Sequence, residues 1–200
     1  MRIVSLLSSA TEILFAIGAG PDVVAISHEC DYPLAATQLP RATRSLIDSS
    51  LPSHEIDEQV KRLMEAGETL YEIDRDLIRD LKPDLIVTQA QCDVCAVRYQ
   101  DVVDFVTSEP VLKNTQVLAL KPEMFFEVIA QVDFIGQAIG ARTRADNYKR
   151  TLLNRYNAVF GKANSNRLFQ RPKVAVIEWT EPLMAAGNWT PELVEAAGGD

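Results

Sequence analysis

Residues 2–26 read Arg2-Ile3-Val4-Ser5-Leu6-Leu7-Ser8-Ser9-Ala10-Thr11-Glu12-Ile13-Leu14-Phe15-Ala16-Ile17-Gly18-Ala19-Gly20-Pro21-Asp22-Val23-Val24-Ala25-Ile26. The apolar run over 2–6 has the length of a strand. Ser9-Ala10-Thr11-Glu12 has the form of a capping box, in which hydroxyl and carboxylate satisfy each other's backbone donors. Ile13, Leu14, Phe15 and Ile17 follow as the apolar side of a short helix. Gly18 and Gly20 end it, and Pro21 forbids its continuation. Val23-Val24-Ala25-Ile26 reads as a second strand. Strand, helix and strand with short joints predict a parallel sheet with right-handed crossovers, so the fold class is α/β.

The rest of the chain extends this pattern. Residues 39–52 read as an extended loop punctuated by Pro40 and Pro52. An amphipathic helix is predicted from Ser53 to about Ala66, with Ile56, Val60, Leu63 and Met64 on one face and Gly67 as its stop. Asp74 caps a further helix, which Lys82-Pro83-Asp84 breaks ahead of the strand Leu85-Ile86-Val87-Thr88. A helix near 96–107 and a strand at 116–119 follow. From Pro122, a good first helical residue, helical pattern runs to about Phe160, with a break or bend between Gly136 and Gly140. Gly161 to Arg171 reads as polar loop and 173–177 as a strand. Thr190-Pro191-Glu192 starts a last helix, which Gly198-Gly199 stops. The expected organisation is an N-terminal α/β lobe over 1–121, a spine helix over 122–160, and the opening of a second α/β lobe over 161–200. One strand and one helix cannot bury a core alone. Residues 173–200 are therefore expected to pack on the first lobe, on another chain or on further sequence, the last being preferred.

Composition narrows the function. Of 200 residues 47% are apolar and 24% charged, which fits a globular chain and argues against disorder. A net charge of -8 repels phosphate backbones and anionic bilayer surfaces, so nucleic-acid and membrane-surface partners are not expected. No apolar stretch approaches the roughly 20 residues needed to span a bilayer. The first residues form too short an apolar run for a secretory leader. As it stands the chain reads as cytoplasmic; with a leader ahead of it, as periplasmic or surface-anchored. Three cysteines exclude a full disulfide framework, leaving Cys92 and Cys95 to pair or all three thiols free.

Three polar clusters follow predicted strands. Ser27-His28-Glu29-Cys30-Asp31-Tyr32-Pro33 follows the second, Cys92-Asp93-Val94-Cys95 the third, and Glu178-Trp179-Thr180 the last. Ligands of open α/β sheets bind at the carboxyl ends of strands, so the clusters predict a shared cleft. His28 is the candidate ligand contact, and neutral imidazole is a common donor to metals; the bland alternative is a hydrogen-bonded structural histidine. Glu29 lies beside it. Tyr32 stacks on a planar ligand or simply shapes the turn before Pro33. Cys92 joins the predicted lining. Trp179 and Trp189 close the cleft over an apolar ligand or pack in the core. If the first two loops meet, His28, Cys30, Cys92 and Cys95 supply the four ligands of a zinc site.

At Leu6-Leu7-Ser8-Ser9-Ala10-Thr11-Glu12-Ile13-Leu14, at His28-Glu29-Cys30-Asp31-Tyr32-Pro33 and at Leu81-Lys82-Pro83-Asp84-Leu85-Ile86 the chain resembles a known family. This is the substrate-binding proteins of ABC importers for cobalamin and iron-siderophore complexes, the cobalamin branch above all. Gly187-Asn188-Trp189-Thr190-Pro191-Glu192-Leu193-Val194-Glu195 resembles the opening of that family's second lobe. The resemblance implies two α/β lobes joined by a long helix, a corrinoid or related metal chelate held between them, no required cofactor, and delivery to an ABC permease. It also implies that Asp76 and Glu195 meet permease arginines, where charged rim pairs set orientation and encounter rate. The segment at about 49–73 is an insertion relative to better-known members.

A competing reading is a cytoplasmic metal- or thiol-dependent protein using Cys92, Cys95 and His28. No nucleophile elbow, P-loop or zinc-protease helix motif is present, so a binding protein without enzymatic activity is expected.

Overall fold

The computed structural model describes residues 1–92, 94–165 and 171–200. The chain opens with β1 (Ile3–Ser5), α1 (Ser8–Ala16) and β2 (Val23–Ile26). α1 starts earlier than its sequence suggests, with Leu7 as N-cap. Ser9 therefore lies inside the helix, and the expected capping box does not form. The buried Thr11 hydroxyl instead donates to Ser5 Oγ at 2.8 Å, tying the helix to the end of β1.

The expected loop over 39–52 contains β3 (Thr43–Ser45). The next helix, α2 (Ser53–Glu65), lies between β3 and β4 (Tyr71–Ile73), which pair antiparallel. No residue of α2 is fully buried, so this excursion stands outside the core. α3 (Arg75–Leu81) is capped by Asp74, which accepts from Leu77 N at 2.9 Å. Lys82 then turns left-handed at φ 45° and starts the approach to β5 (Leu85–Gln89). α4 (Tyr99–Ser108) and β6 (Gln116–Leu120) complete the first lobe.

The main sheet has the order β2-β1-β5-β6, all parallel. β1 and β5 are buried at every position, as strands covered on both faces must be. One core lies towards α1 and includes Ile3, Leu14, Ile26 and Val87. The other lies towards α3 and α4 and includes Val4, Ile78, Ile86 and Phe105.

The span expected as a spine is two helices, α5 (Phe125–Ala138) and α6 (Arg142–Asn164). Gly140, at φ 68°, makes the reversal, a backbone state that glycine adopts without a Cβ clash. The two helices pack closely enough that a Cβ on Gly136 would overlap Ala145 Cβ. α5 starts after the expected Pro122, and the Glu127 carboxylate accepts from the N–H groups of Glu123 and Met124 at 2.7 and 3.1 Å. α6 has 23 residues, about 35 Å at helical rise. It runs into the segment expected as loop, of which residues 166–170 lie outside the described residues.

The strand expected at 173–177 does not form over that range. The pairing starts only at Ile177, in a hairpin of β7 (Ile177–Thr180) and β8 (Leu183–Ala185). Upstream of it Val174 N instead bonds the Asp200 carbonyl at 2.8 Å. α7 (Thr190–Ala196) follows and packs on the ends of α5 and α6, with the Glu192 carboxylate accepting from Phe125 N. Residues 171–200 thus rest on these helices rather than on the main sheet.

Candidate functional site

Parallel strands all deliver their following loops to one edge of the sheet. The turn after β2 carries Ser27 to Cys30, closed by Cys30 N bonding the Ser27 carbonyl at 3.2 Å. Within it His28 and Cys30 part company. Cys30 points into the α1-side core, 1% exposed, with its sulfur 3.1 Å from Thr11 Oγ1. His28 faces β3 and β4. Arg41 braces the turn from outside, donating to the Ser27 and Cys30 carbonyls at 2.8 and 2.5 Å.

Thr43 fixes the imidazole. Its hydroxyl accepts from His28 N at 3.0 Å, donates to Ser27 Oγ at 3.3 Å and lies 2.8 Å from His28 Nδ1. Which of Nδ1 and the Thr43 hydroxyl donates in the last contact depends on the tautomer of the ring. Nε2 is the other ring nitrogen. It is buried without a hydrogen-bond partner, 3.1 Å from Glu29 Oε1 but off the line of a hydrogen bond. Burial lowers the His28 pKa below its usual 6.5; the Glu29 carboxylate opposes this and Arg41 assists it. Burial thus favours the neutral ring, the form in which an imidazole can ligate a metal.

Tyr71 on β4 closes the other side. Its ring centroid lies 5.4 Å from that of His28, and its hydroxyl donates to the Val94 carbonyl at 3.0 Å. Burial, then the nearby Glu29 charge, raises its phenol pKa. Through Tyr71 the His28 loop meets the loop after β5. That loop is shaped by Gln89, whose side-chain oxygen accepts from Gln91 N and Cys92 N at 2.7 and 2.8 Å. Cys92 and Cys95 form a disulfide; Asp93 between them lies outside the described residues.

The expected zinc tetrad is not assembled. Two of its sulfurs are bonded to each other and the third is turned into the core away from His28. Among the described residues no group of three His, Cys, Asp or Glu side chains is placed to hold a metal ion. Glu29 and Tyr32 are exposed, 64% and 63%, on the rim of the same turn. Trp179 is half-buried in β7 and donates Nε1–H to the Glu181 carbonyl at 2.9 Å; Trp189 is the half-buried N-cap of α7. Among the described residues no hydrogen bond or ring contact joins either indole to His28. The 180–181 turn instead meets α2: Thr180 Oγ1 is 3.2 Å from Ser53 Oγ, and Glu181 Oε2 is 3.8 Å from His54 Nδ1. Asp76 is 91% exposed at the start of α3 and paired with Arg79 at 2.5 Å, and Glu195 is exposed on α7.

The His28 environment has a pH signature. Its folded pKa is depressed, so below pH 6.5 the unfolded chain binds more protons than the folded one. Stability is expected to fall as pH drops from 6.5 towards the folded pKa and then to level off in this component. Thermal melts at stepped pH should show that slope, and His28→Gln should flatten it. An unchanged slope in the variant would assign it to other groups.

No protein-family model and no curated protein matches the chain. Solved structures do. A periplasmic haem-binding protein, RhuT, of Roseiflexus sp. RS-1 superposes with a TM-score of 0.69 at 21% identity, covering 99% of this chain and 64% of its own. The periplasmic vitamin B12 binding protein BtuF of Vibrio cholerae gives 0.68 at 19% identity, covering 100% and 64%. A possible iron-binding periplasmic solute-binding protein of Staphylococcus epidermidis gives 0.71 at 18%, covering 100% and 66%. The chain has the fold of these periplasmic binding proteins. It spans 64% of the length of the first two. No helix among the described residues is long and apolar enough to cross a membrane.

Proposed function

We propose that this chain is part of a binding protein for a planar metal chelate, a cobalamin-like corrinoid first among them, which it hands to an ABC importer outside the cytoplasmic membrane. The observation carrying this reading is His28. An imidazole held by Thr43 and biased to its neutral form by burial stands at the carboxyl edge of a parallel sheet, its Nε2 covered beside Glu29, where an axial metal ligand is useful once that carboxylate moves aside. Solved proteins of the same fold bind haem, vitamin B12 or, possibly, iron. Glu29 and Tyr32 form the rim, Tyr71 lies beside the imidazole, and Trp179 and Trp189 close from the second segment. Asp76 and Glu195 are the docking carboxylates. The thiol-dependent alternative gains no support: Cys92 and Cys95 are bonded together and Cys30 is sealed in the core.

The test is absorbance titration with cobinamide, cyanocobalamin and haemin. His28→Ala is expected to weaken the bound chelate by about tenfold or more, on the order of 1.4 kcal/mol or above, and to abolish the spectral change of axial ligation. An identical spectrum and affinity in the variant would defeat the proposal. Binding of none of the three chelates would defeat it as well.

A further inference from the structure

A hollow lies on the first lobe, between the β3–β4 pair and the starts of α3 and α4. It encloses about 900 Å³, within the range of small-molecule sites. Arg41, Arg44, Arg75, Arg79 and Arg98 all line it. These are five of the 20 basic residues of a chain whose net charge is -8, so the concentration runs against the overall balance. No residue of 171–200 lines it, but Arg41, Thr43 and Tyr71, which surround His28 and its turn, do, so it adjoins the site already described.

Four carboxylates share the hollow, and each is already engaged. Glu72 pairs with Arg44, Asp76 with Arg79, and Asp101 with Arg98 at 2.9 Å; Asp74 caps α3. Arg79 is also held by Glu109 at 2.7 Å. Two guanidinium groups remain. Arg75 lies over the Phe105 ring, 5.4 Å from its centroid, and Arg41 spends one nitrogen on two backbone carbonyls. Among the described residues neither has a carboxylate within ion-pair distance. Stacking fixes the plane of a guanidinium while leaving its N–H edge free, the arrangement that suits bidentate capture of carboxylate or phosphate.

We propose that this hollow binds a small multivalent oxyanion, carboxylate or phosphate in chemistry, gripped by Arg75 and Arg41. The oxyanion supplies the negative charge that these two side chains lack, and the concave wall excludes part of the competing water.

Isothermal titration of the chain with citrate and, separately, with inorganic phosphate tests this. Saturable one-to-one binding is expected at millimolar or lower concentration with at least one probe, and the pair of probes separates carboxylate from phosphate preference. Arg75→Gln should weaken it about tenfold, as loss of a charge-assisted bidentate pair does. Salt at about 1 M, where the Debye length is about 3 Å, should weaken it too. Arg62→Gln, on α2 outside the hollow, should leave it unchanged. Arg75→Lys keeps charge and stem but not the fork; it should also bind more weakly, and it serves if the glutamine variant fails to fold. Heat of dilution alone with both probes overturns the proposal. So does equal affinity in the Arg75 variants, or equal weakening by Arg62→Gln. No chelate is present in these titrations, so their result stands apart from that of the His28 experiment.

Discussion

Phe105→Ala is expected to lower the free energy of unfolding by about 3–5 kcal/mol, the range for truncating a large buried aromatic. The ring is 1% exposed and belongs to the core that backs β1 and β5 through Val4, Leu6 and Ile86. Removing it leaves a cavity that flanking strands cannot fill without leaving their ladder. It also removes the surface on which Arg75 and Arg79 rest, 5.4 and 5.8 Å from the ring centroid. A domain of this size should lose roughly 2–4 °C of melting temperature per kcal/mol. Urea denaturation followed by circular dichroism gives the free energy directly. A loss under about 1 kcal/mol would mean that the α3–α4 face is far more plastic than a close-packed interior.

Gly136→Val is the second large effect, expected to cost about 1–3 kcal/mol by overpacking. Replacing a helical glycine ordinarily gains up to about 1 kcal/mol of helix propensity. Here the clash wins, because the obstructing atom is the Ala145 Cβ, which is fixed to the backbone and cannot rotate aside. The helices must separate, and the buried Val132 and Ile135 beside the contact lose packing. Ala145→Gly in the same chain removes the obstruction. The double variant should recover most of the loss, a coupling that marks direct contact. Equal destabilisation in single and double variants would place the cause elsewhere.

The first lobe was legible because its signals are local. Val23 to Ile26 is a continuous apolar run between a proline stop and a polar turn, and Asp74 caps the helix expected of it. The same locality misled at Ser9, where a capping pattern lies two residues past the actual N-cap, Leu7. β3 and β4 were missed because each is only three residues and their pairing spans the whole α2 excursion. Thr43, Tyr71 and Arg41, which orient and cover His28, went unseen with them. The apolar run at 173–177 fits a strand period, but pairing needs a neighbour, and among the described residues that neighbour is β8, reached at Ile177. His28 and Cys30 were legible as a cluster. That one faces β3 and β4 and the other the α1-side core depends on how a four-residue turn closes, which residue identity alone does not fix.

The small contact between Ser53 and His54 of α2 and Thr180 and Glu181 has a mechanical meaning. α7 already fastens residues 171–200 to α5 and α6, through the bond from Phe125 N to the Glu192 carboxylate among others; this contact is a further fastening, made to α2. It resists displacement of the 180–181 turn away from α2. Exposed polar contacts hold with little more than thermal energy. That resistance is therefore lost whenever the hydroxyl pair and the histidine–glutamate pair let go together.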